Sequence, residues 1–88
     1  MKHATDKALD GVDDLLAVAR SYTELMEKKR GIFYHKSCAF LHFHEDAAGL
    51  FADLRIDDHF QRFALNSPGE RKQFLAALRN TLQGRSSK

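Results

Sequence analysis

The feature that most constrains the fold is a change of hydrophobic period in the middle of the chain. Between residues 32 and 65, apolar and polar side chains alternate with a period of two, which is the pattern of half-buried strands. This pattern predicts four strands: Ile32 to His35, Cys38 to Glu45, Gly49 to Ile56 and Phe60 to Leu65. The connections between them are so short that consecutive strands must be antiparallel neighbours, in the order 1-2-3-4.

A helical pattern precedes these strands. From Thr5 to Arg30, apolar residues recur at steps of three and four, as on one buried face of an amphipathic helix. The three cations at residues 28–30, followed by Gly31, are typical of a helix C-terminus. Gly11 leaves the start of this helix open, at about residue 5 or about residue 11.

A second helix is predicted after the strands. The stretch Ser67-Pro68-Gly69-Glu70 offers a serine N-cap, a proline at the first helical position and a glutamate at the third, which together form a capping box. An apolar stripe follows, formed by Phe74, Leu75, Leu78 and Leu82. Gly84 is predicted to end the helix, with residues 85–88 as a frayed tail.

The chain is therefore predicted to be a single α+β domain over residues 1–88, a two-layer sandwich with an N-terminal helix, a four-stranded antiparallel meander and a C-terminal helix. This order of elements resembles the two-layer architecture of the frataxins. The resemblance extends to no motif and no acidic ridge, so it implies a type of fold and no iron-related function.

Cross-strand pairing divides the meander into two faces. If Lys36-Ser37 is a two-residue turn, one face collects almost only apolar residues, among them Ile32, Tyr34, Leu41 and Phe43, and is predicted to be the core beneath the helices. The opposite, outer face collects four phenylalanines, which are Phe33, Phe40, Phe51 and Phe60. An exposed apolar patch of this kind usually marks a partner surface, so we expect these residues to form an interface, in first place with a second copy of the chain. The alternative is that part of the patch is hidden by a tail or by a register shifted by one residue.

The same pairing places His42 and His44 on the outer face, with Asp53 opposite His42 and Arg62 opposite Asp53. Two histidines and one carboxylate are a ligand set that iron or zinc accepts, so His42, His44 and Asp53 form a candidate metal site. The competing interpretation is a row of ordinary cross-strand contacts, in which Asp53 is engaged by Arg62. We favour the second interpretation and expect no cofactor.

Phe40, Arg55 and Arg62 also suggest a surface for single-stranded nucleic acid, in which bases stack on aromatic rings of the sheet. The formal net charge of +2 is too small to favour that function. Cys38 and His35 face each other across the first hairpin, but a thiol and an imidazole without a third orienting group do not predict an enzyme.

The composition predicts the cellular location of the protein. There is one cysteine, no apolar leader at the N-terminus and no run of about 20 apolar residues, so we expect a soluble cytoplasmic protein that does not enter a membrane. The sequence thus predicts a small homodimerising or partner-binding module that acts through the outer face of its sheet, and it leaves the partner and the pathway open.

Overall fold

The computed structural model describes the backbone of residues 2–86 and the side chains of residues 3–84. Its elements in chain order are β1 (Lys2–His3), α1 (Asp6–Asp10), α2 (Asp13–Ser21), β2 (Leu25–Lys29), β3 (Ile32–His35), β4 (Cys38–Asp46), β5 (Gly49–Ile56), β6 (His59–Ala64) and α3 (Pro68–Ser86). None of the helices in this part of the chain is long and apolar enough to cross a membrane.

Strands β2 to β6 form one antiparallel meander in the order β2-β3-β4-β5-β6. The two-residue strand β1 pairs with β4 where β3 has ended, with Lys2 opposite Glu45 and His3 opposite His44. The prediction of an α+β fold with an antiparallel sheet and helices at both ends is confirmed. The prediction of four strands is wrong, because β2 adds a fifth strand to the meander and β1 adds a short sixth to the sheet.

The prediction of one long helix from Thr5 to Arg30 is also wrong. Two short helices, α1 and α2, occupy its first part, and the chain turns extended at Tyr22, whose φ and ψ are −83° and 110°. Residues 25–29 have helix-forming side chains, but their backbone pairs with β3 instead. Packing against a sheet has overridden local helix propensity here, which is a weak determinant by itself.

Two arginines, Arg20 and Arg30, connect this edge of the sheet to the helices through ion pairs. Arg20 of α2 donates two hydrogen bonds to the carboxylate of Glu27, at 2.6 and 3.0 Å, and this pairing lowers the pKa of Glu27. Arg30, in the turn after β2, binds the carboxylates of Asp6 and Asp10 in α1, at 3.1 and 2.7 Å. These ion pairs connect the two short helices to the edge strand and to the turn that follows it.

A β-bulge in β4 separates the observed first hairpin from the predicted one. Tyr34 lies opposite Ala39 and Phe33 lies opposite Leu41, so Phe40 is the extra residue of the bulge. Both Phe40 and Leu41 are consequently buried, although they are neighbours in sequence. Residues of β3 therefore change faces relative to the prediction: Phe33 is in the core, and Ile32 shares the outer face with His42.

The core lies between the sheet and all three helices. It contains Leu9, Val12, Leu15, Leu16 and Ala19 from the N-terminal segment, Phe33, Phe40, Leu41, Phe43, Ala52, Leu54 and Leu65 from the sheet region, and Phe74, Leu78 and Leu82 from α3. The ring of Phe74 meets Phe43 and Phe63 edge to face, with centroids 5.9 and 6.0 Å apart. All helices thus pack on one face of the sheet, and its outer face has no helix over it within the described residues.

Two of the tight turns in the meander have positive φ angles at both central residues. Lys36 and Ser37 connect β3 to β4, and Asp57 and Asp58 connect β5 to β6, all four with φ between 51° and 70°. Consecutive positive φ angles are those of type I′ turns, whose twist matches that of antiparallel strands.

Helix α3 begins as predicted but does not end as predicted. The Ser67 hydroxyl accepts a hydrogen bond from the Glu70 backbone amide at 3.2 Å, so the predicted serine N-cap is present. The Glu70 carboxylate accepts a hydrogen bond from the Asn66 backbone amide at 2.8 Å, one residue before the amide that a capping box uses. The prediction that Gly84 ends the helix is wrong, since α3 continues to Ser86. Of the predicted tail, residues 87 and 88 lie outside the described residues.

Asn66 also extends the sheet beyond β6. Its side-chain amide accepts a hydrogen bond from the Leu50 amide at 2.9 Å and donates one to the Leu50 carbonyl at 3.2 Å, as a neighbouring strand would. This close approach requires Gly49, whose φ is +128° and where a Cβ would lie 2.7 Å from Asn66 Cγ. A side chain at this position would therefore be strained and would displace the Asn66 side chain.

Two glycine substitutions test these assignments. Gly84→Ala should raise the free energy of unfolding by up to about 0.5–1 kcal/mol, because Gly84 lies inside a helix with nothing within 4 Å of an added Cβ. Gly49→Ala should lower it by about 1–3 kcal/mol, because the alanine is strained at this φ and displaces Asn66. Urea unfolding followed by circular dichroism measures both, and a destabilising Gly84→Ala would contradict the extent of α3.

Candidate functional site

The outer face carries the row of polar residues that the sequence predicted. His42 lies directly opposite Asp53, and Asp53 lies directly opposite Arg62 on the next strand. His44 lies opposite Phe51 in the same register. We call His42, His44, Asp53, Phe60 and Arg62 the outer-face cluster. Its arrangement across β4, β5 and β6 confirms the predicted pairing of these three strands.

Asp53 is the centre of this cluster. Arg62 donates two hydrogen bonds to its carboxylate, Nε to Oδ1 at 2.8 Å and an Nη to Oδ2 at 2.9 Å. His44 Nε2 lies 3.2 Å from the same Oδ2. The paired guanidinium lowers the pKa of Asp53, although partial burial of the carboxyl acts in the opposite direction. Asp53 is therefore an anion that holds one side chain from each neighbouring strand.

The two imidazoles each have a nitrogen without a partner. His42 Nε2 and His44 Nδ1 are shielded from solvent and have no hydrogen-bond partner among the described residues, and the ring centroids are 5.8 Å apart. Burial is the main cause that lowers the pKa of His42, and the nearby His44 adds to it. Asp53 opposes this change but does not reverse it. His42 is thus held preferentially in its neutral form.

Phe60 covers one side of the cluster. Its ring lies 5.8 Å from the His42 ring, and the guanidinium carbon of Arg55 lies 4.7 Å from its centroid on the same strand pair. Arg55 Nε also donates a hydrogen bond of 2.8 Å to the carbonyl of Ala39, which lies on the neighbouring strand β4. The cation is therefore positioned both by a backbone acceptor and by the aromatic ring.

The predicted phenylalanine interface is only half present on this face. Phe51 is half-buried and Phe60 is 43% exposed, both on the outer face. The placement of Phe33 and Phe40 there is wrong, because the bulge turns both rings into the core, where they are 1% and 0% exposed. In exchange, Ile32 and Tyr34 of β3, predicted for the core, lie on the outer face, and Met26 lies opposite Tyr34.

The bulge in β4 also changes the surface that was predicted to bind nucleic acid. Phe40 is buried and cannot stack on a base, while the guanidinium groups of Arg55 and Arg62 are engaged by Phe60 and by Asp53. Cys38 is exposed opposite His35 in the register, and His35 itself is buried against the Phe40 ring.

The predicted metal triad of His42, His44 and Asp53 is not assembled as a set of three ligands. Among the side chains of residues 3–84, no group of three or more histidine, cysteine or acidic residues is arranged to hold a metal ion. Asp53 contacts His44 and Arg62, and its carboxylate oxygens are both used in those contacts. What remains is a pair of imidazoles oriented by a carboxylate.

Sequence reasoning missed two contributors to this face. His3 lies opposite His44 through β1, a strand too short for any alternation to reveal. Met26, 61% exposed, belongs to β2, whose sequence Leu-Met-Glu-Lys-Lys has no alternation of apolar and polar residues that could indicate a strand. The helix-forming composition of that segment concealed it.

No protein-family model, no curated protein and no solved structure matches the chain. The functional argument therefore rests on the geometry of this face.

The histidine pair predicts a pH dependence of stability. Because the pKa of His42 is lower in the folded protein, the unfolded chain binds a proton at this residue at a higher pH than the folded protein does. The free energy of unfolding should therefore fall as pH decreases through about 6.5, the ordinary histidine value, and stop falling from this cause below the folded pKa.

Urea unfolding between pH 8 and pH 5 measures this effect. His42→Gln should give a shallower dependence, whereas His59→Gln, at an exposed histidine, should retain the wild-type slope. An unchanged slope in His42→Gln would show that His42 is not the source. The contribution of Asp53 has the same direction but lies at lower pH. Because the pKa of Asp53 is also lower in the folded protein, its stabilising effect is present above about pH 4 and is lost as the carboxylate is protonated.

Proposed function

We propose that this protein is a small homodimerising module and that a second copy of the chain docks on the outer face of the sheet. The observation that supports this proposal is the one-sided packing of the helices. The opposite face displays apolar side chains from five strands, which are Met26, Ile32, Tyr34, Ala39, Phe51, Phe60 and Ala64. An uncovered apolar surface of this extent is typical of a partner site.

Three charged groups near the middle of this face are compatible with being covered, and the ammonium of Lys28 lies over the Tyr34 ring at the β2 edge, 5.1 Å from the ring centroid. A charge buried in an interface is costly unless it is paired. Asp53 is already paired with Arg62, and Arg55 is held by the Ala39 carbonyl and the Phe60 ring. A second copy docked on this face would therefore leave neither the carboxylate nor these two guanidinium groups without a partner.

The size of the face is at the lower end of what a second copy needs. The five strands have 5, 4, 9, 8 and 6 residues, which at a rise of about 3.3 Å per residue and a spacing of about 4.8 Å give a planar footprint of roughly 500 Å². Each partner in a stable protein complex buries ~800 Å² of accessible surface, and side chains add accessible area to a planar footprint.

The distribution of side chains also fits two-fold symmetry. Apolar groups flank the central strand on both sides, with Met26, Ile32 and Tyr34 toward one edge and Phe51 and Phe60 toward the other. A two-fold axis parallel to β4 brings the first strip of one copy onto the second strip of its partner. The two sheets would then pack face to face, about 10 Å apart.

The single free cysteine fits a reducing compartment, and we propose that this module works in the cytoplasm.

The assembly is tested by replacing Phe51 and Phe60 together with serine. Both rings lie on the outer face and neither belongs to the fully buried core, so the variant should keep its fold but lose the apolar strip on one side of the interface. Light scattering coupled to gel filtration should give twice the chain mass for the wild type and the chain mass for the variant.

The matched control is Val18→Ser, which removes a 36% exposed apolar side chain from α2, away from the outer face. It should remain dimeric. A wild-type protein that keeps the mass of one chain at the highest attainable concentration would contradict the proposal, as would a double variant that remains dimeric.

A further inference from the structure

The histidine pair has a feature that its cross-strand contacts do not explain. His42 Nε2 and His44 Nδ1 are both out of contact with solvent and without a hydrogen-bond partner among the described residues. An unsatisfied polar atom in such a position costs free energy, and native structures usually satisfy it with a neighbouring group, a water molecule or an ion. Two such atoms on adjacent rings of one strand point to a shared ligand.

Asp53 determines which His44 nitrogen is available. A carboxylate only accepts hydrogen bonds, so its contact with His44 Nε2 at 3.2 Å favours the tautomer with the proton on Nε2. The lone pair of His44 is then on Nδ1, the atom without a partner. A carboxylate behind an imidazole is the arrangement that orients metal-binding histidines, and Arg62 fixes this carboxylate in turn.

We propose that His42 Nε2 and His44 Nδ1 together bind one divalent cation of the zinc type, with Asp53 as a positioning residue that acts through His44. Imidazole nitrogens are preferred by ions such as zinc and copper, whereas magnesium and calcium prefer oxygen. Water completes the coordination, because the described chain supplies no third ligand in place. Asp53 thus has a different role from the one that the sequence predicted.

The spacing of the rings fits a shared ion. A zinc–nitrogen distance of about 2.0–2.1 Å puts each ring centroid roughly 3 Å from the ion, so two ligating rings lie about 5–6 Å apart. The observed separation is 5.8 Å. Phe60, which packs beside His42 and is 43% exposed, borders the site. Both ligands come from one chain, so a dimer is not needed to complete the site, although the site lies on the face where the second copy is proposed to dock.

The test uses untagged protein freed of metal with a chelator and titrated with Zn²⁺ against a chromophoric competitor. One saturable site per chain is expected, and the Cε1 proton signals of His42 and His44 should shift in NMR spectra as it fills. His42→Gln and His44→Gln should each weaken binding at least tenfold, whereas His59→Gln, at an exposed histidine of β6, should bind as the wild type does. The proposal would be overturned if the wild type had no saturable site, or if His42→Gln and His44→Gln each bound Zn²⁺ as tightly as the wild type does.

The role of Asp53 has its own readout. Asp53→Asn should weaken zinc binding by about 10–100-fold, the usual effect of removing an orienting carboxylate. Nitrogen-15 NMR of the imidazoles should show that metal-free wild-type His44 carries its proton on Nε2 and that this preference is reduced in Asp53→Asn. Loss of zinc binding with an unchanged tautomer would make Asp53 a direct ligand and would overturn its assignment as a positioning residue.

Discussion

The β-bulge at Phe40 is the constraint on which the rest of the structure depends. It lets two consecutive residues, Phe40 and Leu41, enter the core from the same strand. A regular strand would have sent one of them to the outer face, because successive side chains alternate. The bulge therefore adds a large ring to the core of a small protein and removes the same ring from the outer face.

The bulge also determines the neighbours of the histidine pair. Beyond it, β4 resumes regular pairing with β5, which keeps His42 opposite Asp53. On the other side, the shift brings Ile32 opposite His42 and turns Phe33 inward. The histidines are thus flanked by an aliphatic side chain on β3 and by an acidic one on β5. The half-buried setting that lowers the pKa of His42 follows from this placement.

Much of the fold could be predicted where local signals and tertiary packing agree. The register from His42 through Asp53 to Arg62 follows from short turns and clear alternation, and the start of α3 follows from its capping residues. The bulge could not be predicted, because an unbroken alternation also satisfies the sequence of the first hairpin. The position of the bulge in β4 depends on how well Phe40 packs in the core.

Strand β2 could not be predicted for a related reason. Its residues favour a helix in isolation, and they form a strand because the edge of β3 and the Arg20–Glu27 ion pair are available to them. In the candidate site, the residues on β4, β5 and β6 were recognisable, whereas the role of Asp53 was not. That role depends on one contact, between His44 Nε2 and the Asp53 carboxylate, which only the three-dimensional arrangement shows.

The most direct measurement of the central claim is the pattern of nuclear Overhauser effects across the first hairpin. The structure predicts backbone contacts that connect Ile32 to His42 and Phe33 to Leu41, with Phe40 as the extra residue of the bulge. Contacts that connect Ile32 to Leu41 and Phe33 to Phe40 would show a regular hairpin. That result would return both phenylalanine rings to the outer face and contradict the account given for the core, the histidine pair and the docking surface.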